Sequence, residues 1–393
     1  MVIRLKKNKE KAVLNFHPWI FSGAIASGET GVASGSVVRV ESSSGEFLAW
    51  GHYDPKSQIR IRLFSFDERE DGSQETYWTS KWESIYESKQ TLLPKETTGF
   101  RLFHSEGDGV PGIVVDCYHK TAVMQLKTPG ALSLRDWLVS FLSKKGFVTI
   151  LERGEKLEDK AAGEPTFHKG NDSEPVFLEH GIQFIADITR GQKTGFFLDQ
   201  RDNRALVSRY ATGRTVLNTF AYSGAFSVYA LLAGAKQVHS LDISKQAIEL
   251  CERNLVLNGL ETTNGSTRHK SLVLDSFDYL KAMEPNFYDL IILDPPAFTK
   301  SISMVNQASR GYKDINMRAM SKIRTGGLIF TFSCSQHISF DLFKKIVFGA
   351  AKDAKKRVRI LHHLTQSPDH GYSVFHPEGE YLKGLVIQVD GDT

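Results

Sequence analysis

In the second half of the chain, short apolar runs alternate with longer stretches whose apolar residues recur every three or four positions. The apolar runs predict strands at Thr215–Asn218, Gln237–Asp242, Lys270–Asp275, Leu290–Asp294 and Gly327–Cys334. The stretches between and after them predict helices at Ala225–Ala233, Lys245–Asn258, Phe277–Met283 and Phe340–Lys352. Strands and helices in such alternation imply an α/β fold with a parallel sheet and helices on both faces.

The first part of the chain has a different pattern. Residues 1–72 contain short alternating segments broken by glycine and serine, which predict a small β-barrel. A polar run at 67–74 predicts a boundary, and residues 73–186 mix predicted helices and strands with a charged loop from Arg153 to Ser173. We therefore predict three domains, at 1–72, 73–186 and 187–393.

Composition and charge narrow the class of protein. The 393 residues have a net charge of +4, which is compatible with a polyanionic partner. The three cysteines, Cys117, Cys251 and Cys334, are far apart, so we predict no disulfide and a reducing, cytoplasmic location. No apolar stretch approaches the ~20 residues of a membrane span, and no histidine spacing predicts a metal site.

Polar residues follow the predicted strands at the sheet edge where ligands of such folds bind. After the first strand, small residues and a glycine allow a ligand to approach the backbone, although the turn is not the GxGxxG of dinucleotide sites. The candidates in this turn are Asn218, Phe220, Tyr222, Ser223 and Gly224.

The next two strands each end in an aspartate. Asp242, followed by Ile243, is placed to accept hydrogen bonds from ribose hydroxyls, but Asp242 or Ser244 can equally cap the following helix. Asp275 can accept from an adenine amino group, or Asp275 or Ser276 can serve only as a helix cap.

The fourth strand ends in Asp294-Pro295-Pro296-Ala297-Phe298. The prolines fix the backbone, so Asp294 is presented rigidly, and Phe298 can stack on a flat base. A glycine-containing turn followed by acids at successive strand ends is the layout of class I methyltransferases, which use S-adenosylmethionine. The glycine-containing block at 187–204, before the first strand, can supply further ligand contacts. Alternatively, it is an ordinary loop followed by a helix that starts near Leu198. Its candidates for cofactor binding are Gln192, Lys193, Thr194 and Phe197, and Asp294 and Pro295 after the fourth strand are further candidates.

With these motifs, the chain resembles the RlmI-type 23S rRNA cytosine-C5 methyltransferases. The matching segments are His17–Ile25, Gly107–Asp116, Gly191–Arg204, Asn218–Gly224, Asp294–Phe298, Ser333–Ser335 and Pro377–Lys383. The resemblance implies an N-terminal RNA-binding PUA domain, a central α+β domain and a C-terminal Rossmann-like methyltransferase domain. It also favours dimers. One departure is Asp369-His370-Gly371-Tyr372, where the family tends to have Asp-His-Pro.

Cys334, at the end of the fifth predicted strand, would in isolation be read as a small buried side chain. In this setting it is the predicted nucleophile, whose thiolate adds to C6 of cytosine while Asp294 holds the base. His337 and Lys193 are the candidate cations beside the thiolate. Ala297 stands where many RNA cytosine methyltransferases have a second cysteine.

Ribosomal RNA, expected to be 23S, is the predicted partner, and Arg39 and Arg60 are candidates for contacts with its phosphates. Two other functions stay open. The chain can methylate another base atom, such as guanine N7 or an amino nitrogen, which would make Cys334 dispensable. It can also be a non-catalytic RNA-binding protein that keeps the cofactor site for stability.

Overall fold

A computed structural model describes residues 1–154, 163–260, 268–299 and 301–393 of the chain. The chain forms two compact units. The N-terminal unit comprises Met1–Gly181, Ala186–Leu198 and Pro368–Gly379, and the C-terminal unit comprises Ile182–Ile185, Asp199–Ser367 and Glu380–Thr393. The domain boundaries at residues 72 and 186 remain predictions.

The N-terminal unit begins with a six-stranded sheet in the order β2-β6-β5-β4-β1-β3. Its elements are β1 (Val2–Leu5), α1 (Lys11–Leu14), β2 (Trp19–Phe21), β3 (Ile25–Ser27), β4 (Val37–Glu41), β5 (Phe47–Tyr53) and β6 (Ile59–Ser65). Alternate residues point into its core, where Val38, Val40 and Ile61 are fully buried. The alternation of the sequence in this region therefore reflects strands with one buried face.

A second sheet of the same unit has the order β11-β10-β9-β8-β7. The elements in this part are α2 (Glu75–Leu92), β7 (Gly99–His104), β8 (Ile113–Tyr118), β9 (Thr121–Leu126), α3 (Pro129–Ser133), α4 (Arg135–Lys144), β10 (Thr149–Glu152), β11 (Thr166–Lys169) and β12 (Val176–Glu179). The prediction of a loop from Arg153 to Ser173 is wrong at β11, which pairs with β10. Most of β11 is exposed and polar, so it lacks the apolar alternation that identifies a strand. Residues 155–162 of that predicted loop lie outside the described residues.

The C-terminal unit contains a seven-stranded sheet in the order β16-β15-β14-β17-β18-β20-β19. The strands of this sheet are β14 (Thr215–Thr219), β15 (Gln237–Asp242), β16 (His269–Val273), β17 (Leu290–Leu293), β18 (Leu328–Ser333), β19 (Lys356–Leu364) and β20 (Lys383–Asp392). The unit also contains the short strand β13 (Ile182–Ile185), which is not part of the sheet. Its helices are α5 (Arg201–Ala211), α6 (Ala225–Leu232), α7 (Lys245–Leu257), α8 (Ser276–Ala282), α9 (Val305–Lys322) and α10 (Phe340–Asp353).

The sequence had predicted a parallel sheet for the C-terminal unit, but the sheet is not parallel throughout. β14 to β18 are parallel to one another, whereas β20 pairs antiparallel with both β18 and β19. The expectation of a fully parallel sheet is wrong at this edge, because β20 inserts between two strands that precede it in the chain. The α/β class and the Rossmann-like fold of the C-terminal unit are as predicted.

The strand order places a topological switch point at the centre of the sheet. From β14 the chain moves outward through β15 and β16, and it returns to the other side of β14 with β17 and β18. Thr219 at the end of β14 lies opposite Leu293 at the end of β17. Ligands of open α/β sheets bind at such a point, beyond the carboxyl ends of the strands.

The core of the C-terminal unit explains why β17 reads as a continuous apolar run. Leu290–Leu293 is fully buried, because helices cover both faces of the sheet. Long helix α9 packs on this core through Tyr312, Ile315 and Ala319. Within the described ranges, no helix combines the length and the apolar character needed to cross a bilayer.

Candidate active site

The loop after β14 has an unusual backbone. Phe220 and Tyr222 have positive φ values of 54° and 44°, and Gly224 has a φ of 72°. A Cβ on Gly224 would lie 2.1 Å from Sγ of Cys251 on α7, so only glycine fits. This tight turn brings the loop to the start of α6, which leaves backbone N–H groups available to a ligand.

Asn218 anchors the same loop from inside the sheet. Its Nδ2 donates to Oγ of Ser227 at 2.9 Å, and this hydroxyl lies 2.7 Å from Oγ of Ser240. Ser240 in turn contacts Nε2 of His269 at 2.8 Å. Oδ1 of Asn218 is buried and has no hydrogen-bond partner in the protein, so an acceptor at the base of the loop is left for a ligand or a water.

Asp242 connects the end of β15 to this loop. Its carboxylate accepts from the backbone N–H of Tyr222 at 2.9 Å and from that of Ser244 at 2.9 Å. Ser244, not Asp242, is the side-chain cap of α7, because its Oγ accepts from N of Ala247. Asp242 is half-buried and its carboxylate oxygens can accept further bonds, which fits a ribose ligand. Ile243 is 71% exposed beside it.

Asp275 and Ser276 lie at the end of β16. The Asp275 side chain caps α8 by accepting from N of Phe277 at 2.8 Å and from N of Asp278 at 3.1 Å. Ser276 is buried. The capping alternative is therefore present at Asp275, and its contact with adenine remains a prediction.

The Asp294–Phe298 turn follows β17, next to the loop after β14. Asp294 is half-buried, Pro295 is buried and Ala297 is exposed. The ring of Phe298 lies 4.5 Å from that of Tyr312 on α9, centroid to centroid. Phe298 is thus held against the core with part of its surface accessible.

Cys334 follows β18 directly and faces this turn. Its Sγ lies 3.9 Å from the carbonyl oxygen of Pro295. Residues 330–333 and Ser335 are buried, whereas Cys334 is partly accessible. Cys117 and Cys251 are fully buried, and burial raises the pKa of each, that of Cys251 to about 12. Of the three cysteines, all in the described ranges, Cys334 is the one accessible to a substrate.

Sequence reasoning missed two polar neighbours of Cys334. The Tyr312 hydroxyl lies 2.9 Å from Oγ of Ser335, and Nζ of Lys383 donates to the carbonyl of Ser335 at 2.8 Å. Burial lowers the pKa of Lys383 to about 8. The one available signal for Lys383 was its place at the end of the Pro377–Lys383 segment. His337, a predicted neighbour of the thiolate, is half-buried.

The remaining predicted residues belong to the N-terminal unit. Gln192 and Lys193 are exposed, and Nζ of Lys193 lies 4.4 Å from the centre of the Phe197 ring. Thr194 is fully buried, with its hydroxyl 2.5 Å from Oδ2 of Asp116 and 3.0 Å from the hydroxyl of Tyr118. Contacts between this block and the cofactor stay predictions.

The two arginines proposed for RNA binding have acidic partners. Arg39 pairs with Glu41 at 3.1 Å and with Glu68 at 2.6 Å, and Arg60 pairs with Glu29 at 3.2 Å. These ion pairs lower the charge that either arginine presents to a phosphate. Their contacts with RNA phosphates remain predictions.

The C-terminal unit thus brings one set of predicted residues to one edge of its sheet. These are Asn218, Phe220, Tyr222, Ser223, Gly224, Asp242, Ile243, Asp275, Ser276, Asp294, Pro295, Phe298 and Cys334. The tight turn, the unpartnered Asn218 oxygen and the acid at the end of β15 fit a nucleoside cofactor at the switch point. In the described ranges, no cluster of three or more histidine, cysteine or acidic side chains is arranged to hold a metal ion.

Comparisons with known proteins agree with this architecture. Residues 161–370 match the S-adenosylmethionine-dependent methyltransferase family model, and residues 3–66 match the PUA-like domain model. The chain is 41% identical to ribosomal RNA large subunit methyltransferase I of Pseudoalteromonas atlantica, over 98% of this chain and 99% of that protein. It is 38% identical to the protein of the same name from Shewanella denitrificans, with the same coverage.

A solved structure from Streptococcus mutans, described as a SAM-dependent methyltransferase, has the same fold. Its TM-score is 0.82 at 24% identity, over 99% of this chain and 100% of that one. The predicted fold class and the predicted cofactor, S-adenosylmethionine, are confirmed. The chain therefore belongs to the ribosomal RNA large subunit methyltransferase I family, in which a PUA-like domain precedes an S-adenosylmethionine-dependent methyltransferase domain.

Proposed function

We propose that the chain methylates large-subunit ribosomal RNA, expected to be 23S, at C5 of a cytosine, with Cys334 as the nucleophile. The main support is the position of Cys334, an accessible thiol in an otherwise buried strand end, 3.9 Å from the carbonyl of Pro295. The names of the full-length relatives support the RNA substrate. The PUA-like domain is consistent with RNA binding.

The C-terminal unit offers residues for each part of the cofactor. The backbone of the loop from Asn218 to Gly224 would lie against its amino-acid portion, and Asp242 would accept from its ribose hydroxyls. Asp275 and Ser276 would lie near its adenine. When bound, S-adenosylmethionine supplies an electrophilic methyl group.

The chemistry of cytosine explains the need for a thiolate. C5 is too weak a nucleophile to accept a methyl group unaided. Addition of the Cys334 thiolate to C6 forms an S–C6 bond and breaks the C5=C6 π bond, so the electron pair makes C5 enamine-like. Asp294, as a carboxylic acid, would donate its proton to N3, where negative charge develops, and its other oxygen would accept from the exocyclic amine.

Product release reverses the addition. Once C5 bears the methyl group, a base removes its proton, and the electron pair of the C5–H bond re-forms the C5=C6 double bond. The S–C6 bond breaks and the thiolate regains its electron pair. Ala297 cannot assist in this step, so we expect another base to take the proton.

The target cytosine must reach Cys334 as an unpaired or flipped-out nucleotide, since its C6 is buried in a duplex stack. Phe298, with part of its ring accessible, is a candidate for stacking on that base. Its contact with Tyr312 would keep the ring in place while the base enters.

The test compares wild type, Cys334→Ala and Cys117→Ala on ribosomal RNA that lacks the modification. Cys117→Ala is the matched control, because Cys117 is buried in the N-terminal unit. We expect 5-methylcytosine, measured by mass spectrometry of nucleosides, from wild type and Cys117→Ala but not from Cys334→Ala. Equal product from Cys334→Ala would contradict the cysteine mechanism.

A second readout traps the adduct itself. RNA containing 5-fluorocytosine has no C5 proton to lose, so elimination stops after methyl transfer and the enzyme stays covalently bound. Wild type should form a denaturation-resistant protein–RNA complex that Cys334→Ala does not form. A methylated guanine or amino nitrogen among the products would favour methylation of another base atom, and cofactor binding without any product would favour an RNA-binding role.

A further inference from the structure

Lys383 is the first residue of β20, and its side chain is directed at the segment that contains Cys334. Lys383 lies opposite Ser333 in the antiparallel pair of β20 and β18. Its Nζ donates to the carbonyl of Ser335 at 2.8 Å and to that of Tyr381 at 2.8 Å. The ammonium group therefore lies at the carbonyl of Ser335, the residue after Cys334, although Lys383 is only 2% exposed.

A lysine that bridges two carbonyls need not be buried. Lys322 does the same on the other side of the unit, where its Nζ donates to the carbonyls of Lys281 at 2.6 Å and Met283 at 2.7 Å. Lys322 is partly exposed, as lysines usually are. Burial of the Lys383 charge thus calls for a reason beyond a backbone bridge.

The charged groups around Lys383 supply that reason. Burial lowers the pKa of Lys383 to about 8, and the negative charges of Cys334 and Glu380 act against this decrease. The attraction is mutual, so a cation that is stabilised by a thiolate also stabilises that thiolate. An ammonium has three N–H groups, and the two carbonyls of Ser335 and Tyr381 use two of them.

Two other polar groups face the thiol from neighbouring elements. Tyr312 of α9 bonds to Ser335, and its pKa is raised by burial, with a smaller contribution from the charge of Cys334. Asp294 precedes the Pro295 carbonyl that lies near Sγ. Neither group carries a positive charge, whereas Lys383 does, and the charge of Cys334 stabilises it.

We propose that Lys383 is a positioning residue that keeps Cys334 in its thiolate form before attack on the base. The proposal rests on the nucleophilic role proposed for Cys334, and it adds Lys383 to His337 and Lys193, the cations predicted from the sequence. The thiol proton leaves to water, the electron pair stays on Sγ, and Lys383 keeps its three protons. Lys383 itself does not touch the RNA.

Alkylation of Cys334 tests this without RNA or cofactor. The rate of reaction with iodoacetamide is measured against pH in the full-length protein, and the modified peptide is quantified by mass spectrometry. The variants are Lys383→Met, which removes charge and hydrogen bonds, and Lys383→Gln, which keeps an N–H donor but no charge. Lys322→Met is the matched control, since it removes a bridging lysine elsewhere.

We expect the midpoint of the alkylation profile to rise by about 1 to 3 pH units in both Lys383 variants. It should stay at the wild-type value in Lys322→Met. A wild-type midpoint in Lys383→Gln, with circular dichroism unchanged, would overturn the proposal. Should both Lys383 variants unfold, wild type alone decides, because a Cys334 midpoint at or above the ordinary ~8.5 of a free thiol also overturns it.

Failure of the lysine proposal can be told apart from failure of the proposed function. If Cys334→Ala forms no 5-methylcytosine but the Lys383 variants keep the wild-type alkylation profile, only the role of Lys383 is wrong. If Cys334→Ala forms 5-methylcytosine, the cysteine mechanism is wrong whatever the alkylation shows, and the proposal for Lys383 fails with it.

Discussion

Replacement of Gly224 by alanine should destabilise the C-terminal unit by about 2–5 kcal/mol. A φ of 72° costs an L-residue about 1–2 kcal/mol, because Cβ approaches the carbonyl oxygen. The new Cβ would also lie 2.1 Å from Sγ and 3.1 Å from Cα of Cys251. Relief of such a clash in a packed core costs about 1–3 kcal/mol more.

The matched control is Gly234→Ala. Gly234 has a φ of 85°, but the nearest atom to its added Cβ is Cγ2 of Thr212 at 3.8 Å, so only the backbone cost of about 1–2 kcal/mol applies. Urea unfolding is followed by far-ultraviolet circular dichroism. Tryptophan fluorescence serves as an internal reference, because all five tryptophans lie between residues 19 and 137 and report on the N-terminal unit.

We expect Gly224→Ala to lose at least about 1 kcal/mol more than Gly234→Ala, with an unchanged fluorescence transition. The double variant Gly224→Ala/Cys251→Ala should recover part of the loss, since the sulfur atom is the nearest obstacle. Equal losses from the two single glycine variants would refute the steric argument. Calorimetry should also show weaker S-adenosylmethionine binding by Gly224→Ala, because the loop after β14 must shift.

Three other changes test the charge and hydrogen-bond arguments. In the wild type, the Arg101 guanidinium contacts both carboxylate oxygens of buried Asp116, at 2.6 and 2.7 Å. Asp116→Asn removes this anion, so the unfolding free energy measured by fluorescence should fall by about 3–5 kcal/mol. An unchanged value would contradict this. Burial lowers the pKa of His52 from 6.5 to about 4, so as pH falls between these values the unfolded state binds the proton first. The N-terminal unit should then lose about 3 kcal/mol, and His52→Leu should flatten this pH dependence in parallel urea titrations. Asp242→Ala removes the acceptor of the Tyr222 N–H and should weaken S-adenosylmethionine binding by about tenfold or more in calorimetry, whereas Asp242→Asn, which keeps an oxygen acceptor, should lose less.

The parallel part of the sheet was predictable because its strands are short apolar runs that end in polar residues. The turn at Gly224 and the Asp294-Pro295 pair could be assigned to the site from the sequence, because both follow strands whose carboxyl ends meet at one edge of the sheet. Helix α9 was missed, although its buried residues have helical spacing. Several of them, such as Ala308 and Asn316, are not strongly apolar and do not form a visible stripe.

The neighbours of Cys334 could not be predicted from local pattern. Lys383 is about 50 residues further along the chain, and it approaches Cys334 only because β20 runs antiparallel to β18. Sequence spacing does not predict such a pairing. Asp275 illustrates the opposite case, in which local chemistry alone correctly offers a helix cap but leaves ligand contact undecided.

The insertion of β20 between β18 and β19 affects the order in which each molecule folds. Pairing of strands so distant in sequence is expected late in folding, so intermediates will expose the edge of β18, an apolar segment prone to intermolecular β-pairing. On the role proposed for Lys383, the same late step brings the cation to Cys334. A molecule in which β20 has not yet paired would then keep an ordinary protonated thiol, which oxidants attack slowly. The sulfur of Cys334 would become reactive only once β20 is in place.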